Sequence, residues 1–128
     1  MSTDQVAARA LPTGSQMIAL ALQQAIWGLD LLDRMREACD CSTNDEWDAS
    51  QALEVARDMV TQVQASGVST YEEFDIPWSK MVSMVRLASG ATQETGPYKN
   101  SLDAFVRACI AAGNMVNFAE CMETGKRY

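Results

Sequence analysis

Residues 16–38 read Gln-Met-Ile-Ala-Leu-Ala-Leu-Gln-Gln-Ala-Ile-Trp-Gly-Leu-Asp-Leu-Leu-Asp-Arg-Met-Arg-Glu-Ala, and this stretch decides the fold class. Ile18, Leu22, Ala25, Ile26, Leu29, Leu32 and Arg36 recur at steps of three and four, the spacing that lines one face of an α-helix. Leu20, Trp27, Leu31 and Met35 are apolar outside that stripe, so the helix is expected to be a central rod with neighbours on more than one side. Gly28 inside it costs about 1 kcal/mol relative to alanine. Close approach of another helix beside Trp27 would account for it, and so would a kink.

Residues 1–14 hold Pro12 and Gly14 and lack apolar periodicity, which reads as a flexible N-terminal arm. Residues 15–128 read as a single domain, with Ser15 as the N-cap of the first helix. Cys39 to Asn44 breaks the pattern. A second helix over about residues 45–66 carries one narrow stripe: Ala49, Ala52, Leu53, Ala56, Met59, Val60 and Val63. Gly67 suits its C-terminal end. Ser69-x-x-Glu72 and Thr70-x-x-Glu73 predict a short helical turn, and Asp75-Ile-Pro-Trp a restart with Asp75 as cap. The third helix then turns Trp78, Met81, Val82, Val85 and Ala88 inward and ends at Gly90.

Residues 91–100 contain Thr95-Gly96-Pro97 and read as a loop. Ser101 is read as the cap of a fourth helix whose stripe is Leu102, Phe105, Val106, Cys109, Ile110, Gly113, Val116 and Ala119. Gly125 and Lys126-Arg127 suit its C-terminus. No stretch alternates with a period of two. The expectation is an all-α, compact bundle of four to five helices, mostly antiparallel to their neighbours.

Composition narrows the function classes. The 128 residues allow one core. The chain has no histidine, which removes the commonest general base, the commonest transition-metal ligand and every Ser-His-Asp or Cys-His arrangement within one chain. Cys39, Cys41, Cys109 and Cys121 do not have zinc-knuckle spacing. Neither a metal nor another cofactor is expected. With no apolar leader and no long apolar run, the expected location is cytoplasmic, with reduced thiols and no membrane contact. Seventeen acids against ten bases give a charge of −7, which disfavours direct nucleic acid binding and suits a basic partner surface.

The charge is uneven: ten acids and four bases over residues 1–64, or −6, against seven and six over residues 65–128, or −1. Glu37, Asp40, Asp45, Glu46 and Asp48 follow one another with no base between them, around the joint of the first two helices and with Trp47 in their midst. Aromatics anchor protein interfaces and charges steer encounters, so these six residues are the candidate partner-binding site. The plainer reading is that acids at a helix N-terminus complement its dipole.

Two further patterns compete. Asp30-x-x-Asp33 and Glu120-x-x-Glu123 each set two carboxylates on one helical face, as in helical nucleotide pyrophosphatases that hold magnesium with paired acids. Eight methionines, including Met81, Met84, Met115 and Met122, fill a core or offer an adaptable surface, and they allow a homodimer. The leading expectation is a non-catalytic protein-binding module or inhibitor that modulates a partner through its acidic helical surface. Inhibitors of phage or bacterial defence systems and immunity proteins share this profile, by analogy of composition rather than by motif. The alternatives are a magnesium-dependent pyrophosphatase and a structural or assembly subunit.

Overall fold

A computed structural model describes residues 12–38, 44–92 and 96–125, with side chains given from residue 49 onward in the second segment. The described residues fold entirely into helices and their connections: α1 (Gly14–Ala38), α2 (Asn44–Ser66), α3 (Tyr71–Ala91) and α4 (Pro97–Thr124). Residues 1–11 of the expected arm, the Cys39–Thr43 connection, Thr95 and the Lys126-Arg127 terminus lie outside the described residues.

Thr13 starts α1. Its hydroxyl accepts the backbone N–H of Gln16 at 3.2 Å, and the Gln16 side chain accepts the backbone N–H of Thr13 at 2.9 Å. This reciprocal pair satisfies two donors that the first turn leaves without helical partners. Ser15, expected as the cap, instead lies within the helix.

Each helix packs mainly against two others: α1 on α2 and α4, and α3 on α2 and α4, while the diagonal pair α1 and α3 barely meet. The first helix is therefore one corner of a four-cornered bundle and not its central rod. Ile18 and Leu29 of α1, Val60 of α2, Phe74, Met81 and Val85 of α3, and Leu102 and Val116 of α4 are completely enclosed. Burying each such side chain contributes about 1.5–3 kcal/mol, so all four stripes are needed to close one core. Neighbouring helices run in opposite senses where their contacts fix it. Gly14 lies beside Glu120 and Glu123, and Gly28 lies beside Phe105. Along α3, Tyr71 meets Glu120, Trp78 meets Cys109 and Ser89 meets Asp103.

Both ends of α3 and the start of α4 also depart from expectation. The short turn and the restart at Asp75 are one continuous helix: Thr70 caps it by accepting from the Glu73 N–H, and Pro77 sits inside. The stacked rings of Phe74 and Trp78, 4.7 Å apart, hold buried side chains on both sides of that proline. Asp75 accepts from the hydroxyls of Tyr71 and Ser79 and caps nothing. At the other end, α3 passes through Gly90 to Ala91. Pro97 occupies the first turn of α4 after Gly96, so Ser101 is inside that helix. Proline favours this position because the N–H it lacks would be unpaired there.

Gly28 answers the question its position raised. A Cβ there would stand 2.8 Å from Cδ1 of Phe105, so the close approach is that of α4. Gly113 does the same for α3: the Trp78 indole lies across it and donates from Nε1 to the Cys109 carbonyl at 2.8 Å.

Candidate interaction surfaces

The acidic joint spans the end of α1 and the start of α2. Glu37 is exposed in the last turn of α1. Asp45, Glu46, Trp47 and Asp48 follow Asn44 in the first turns of α2, where a helix has no acceptors of its own for its first backbone N–H groups and its dipole is positive. Their side chains, and the whole of Asp40, lie outside the described residues. Farther along, Arg57 in the middle of α2 meets Asp30 of α1 at 2.7 Å. That pair is half-exposed, and such pairs contribute about 0–1 kcal/mol.

The paired carboxylates are not brought together. Asp30 faces Arg57 and Asp33 accepts from Arg36. Glu120 accepts from the backbone N–H of Tyr71, and Glu123 from that of Gly14 at 2.9 Å. Glu120 and Glu123 lie at the Gly14 end of α1, sixteen residues from Asp30, which is about 24 Å of helix. Among the described residues no three acidic or cysteine side chains group as they would around a metal ion. The acids of α4 instead receive the first N–H groups of α1 and α3.

Lys99 performs the matching task at the far end of α3, donating from Nζ to the carbonyls of Ser89 at 2.7 Å and Thr92 at 2.9 Å. With Arg86 and Arg107 it lines an open hollow of about 390 Å³ against α3 and α4, where Asp103 accepts from the Ser89 hydroxyl. A second open groove, about 440 Å³, runs between α2 and α3 past Met59, Ile76 and Lys80. Cys109 is buried beneath Trp78, and that burial pushes its thiol up to about 12. It is an inert core group, whereas Cys121 is partly accessible.

The surface missed by sequence reasoning is apolar. Leu20, Trp27 and Leu31 do not meet the extra neighbours expected for them and stand exposed on α1. On α4, Ile110 is exposed rather than buried, and Met115, Phe118 and Met122 join it outside. A signal was present: α4 carries a second run of apolar residues at three-and-four spacing, on the face away from its core stripe. Among the described residues no helix is long and apolar enough to cross a membrane. Compared with known proteins, the chain matches no family model, no curated protein and no solved structure.

Proposed function

We propose that this chain is a non-catalytic protein-binding module, built on a compact bundle of antiparallel neighbours, that engages a basic partner through the α1–α2 joint. The observation that carries this reading is the unbroken succession of acids from Glu37 to Asp48, with Trp47 among them, at the meeting of two helix ends. The acids Asp45, Glu46 and Asp48 fall in the first turns of α2, whose positive dipole end their charge complements, and that charge would steer a basic surface toward the joint. Asp40, between these residues in the sequence, belongs to the same proposed epitope. A modulator of this kind acts by covering a functional basic surface, the mode open to an inhibitor of a phage or bacterial defence system or to an immunity protein. A cytoplasmic setting belongs to the same proposal. The pyrophosphatase reading has less behind it, because Asp30, Asp33, Glu120 and Glu123 each have a protein partner and the two pairs lie about 24 Å apart along α1.

The test is affinity capture from the native host with the wild-type chain and with an Asp45→Lys, Glu46→Lys, Asp48→Lys variant of equal helicity. A stoichiometric basic protein recovered by the first and lost by the second supports the proposal. Equal recovery by both overturns it.

A further inference from the structure

We infer that the outer face of α4, continued by α1, binds a second copy of this chain about a two-fold axis. Ala104, Ala108, Ala111, Met115, Phe118 and Met122 are all exposed and recur at alternating steps of four and three. That spacing is the seam of a coiled coil, and it lies on the side of α4 opposite Leu102, Cys109 and Val116, which fill the core. The N-terminal half of the seam holds only alanines, and the C-terminal half only large side chains.

This order fits an antiparallel copy of itself. Placing the two-fold axis at the level of residue 113 sets Ala104 opposite Met122, Ala108 opposite Phe118, and Ala111 opposite Met115 of the other copy. Three large side chains then meet three small ones on each strand, the alternation that lets layers interdigitate, and the arrangement is self-complementary as a two-fold contact requires. A parallel copy would oppose large to large and alanine to alanine.

Extent and charge agree with a second copy. Gly28 lets α1 lie close beside α4, so Leu20, Trp27 and Leu31 widen the same face. Trp27 is 63% exposed, Leu31 60%, Phe118 58%, Met122 56%, Met115 52% and Leu20 51%. These six side chains offer roughly 700 Å², close to the 800 Å² or so that each partner gives to a standard-size interface. Although the chain carries −7 overall, neither seam contains an acid, so two copies meet there without opposing carboxylates. The two Arg107 side chains at its edge would lie about 18 Å apart along the paired helices.

The acidic joint, Glu37 to Asp48, shares no residue with this face. The test is sedimentation velocity on the full chain over a wide concentration range, with circular dichroism on each variant. A species of twice the 14.0 kDa chain mass is expected. Ala108→Phe alone and Phe118→Ala alone should each weaken it by at least about tenfold, and the double exchange should return it to within about threefold of wild type. A 14.0 kDa species at every concentration overturns the inference. So does a dimer indifferent to both single substitutions, or one that the double exchange fails to restore. A full chain that stays monomeric and pairs only after removal of residues 1–11 would assign the face to its own N-terminal segment, which equally overturns it.

Discussion

Glu120 of α4 accepts the backbone N–H of Tyr71, the first residue of α3, while Lys99 from the other end of α4 holds the last carbonyls of α3. One helix thus supplies a negative group to the positive end of its neighbour and a positive group to the negative end. Glu123 extends the arrangement to α1 through the N–H of Gly14. Glu120→Ala is therefore expected to lower stability by about 1 kcal/mol, the ordinary cost of losing a helix cap. Urea denaturation measures it, and Glu120→Gln, which keeps an acceptor, should lose less. An unchanged midpoint for Glu120→Ala would contradict this role.

Gly28 and Phe105 give a prediction of sign. Alanine is the better helix former by about 1 kcal/mol, but its methyl would collide with the Phe105 ring. Overpacking of this kind costs about 1–3 kcal/mol, so Gly28→Ala should be net destabilising by about 1 kcal/mol. In a Phe105→Ala background the collision is gone and the same substitution should stabilise. Thermal melts of the two pairs decide it, and destabilisation in both backgrounds would rule out the ring as the cause.

These two contacts mark how far the sequence could be read. The apolar stripes of all four helices were legible because burial imposes their period: Ile18, Leu22, Leu53, Val60, Met81, Val85, Leu102 and Val116 are enclosed as their spacing predicts. Helix ends were less legible, because several residues can cap and only tertiary contacts choose among them. Thr13 wins over Ser15 through its reciprocal bonds with Gln16, and α3 runs through Pro77 because Phe74 and Trp78 are anchored on either side. The partners of the carboxylate pairs were not legible for the same reason. Spacing sets Glu120 and Glu123 on one face of α4, but only the fold reveals that two helix N-termini arrive there. The exposed seam of α4 had a sequence signal, and what the sequence lacked was the knowledge of which of two apolar stripes the core would take.

Cys109 predicts a dependence on pH. Its thiol ionises near 9.0 when exposed and only at about 12 when buried in the fold. Below pH 9 both states hold the proton and the group is neutral in its effect. Between pH 9 and 12 the unfolded chain releases a proton that the folded chain keeps, so stability falls by up to about 1.4 kcal/mol per pH unit. Cys109→Val removes this contribution. Denaturation midpoints of wild type and variant, compared from pH 8 to pH 11, should diverge above pH 9, with the wild type declining faster. Parallel curves would refute the assignment.

Position and net charge are separable at the acidic joint. Glu54 and Asp58 are exposed acids on the flank of α2, away from the joint. The decisive measurement is the affinity of the captured partner for three chains: wild type, Glu54→Lys with Asp58→Lys, and Asp45→Lys with Glu46→Lys. Both variants change the charge equally. The joint variant is expected to bind at least about tenfold more weakly and the flank variant within about threefold of wild type. Equal weakening by the two would mean that the joint is no epitope and that overall charge governs the encounter.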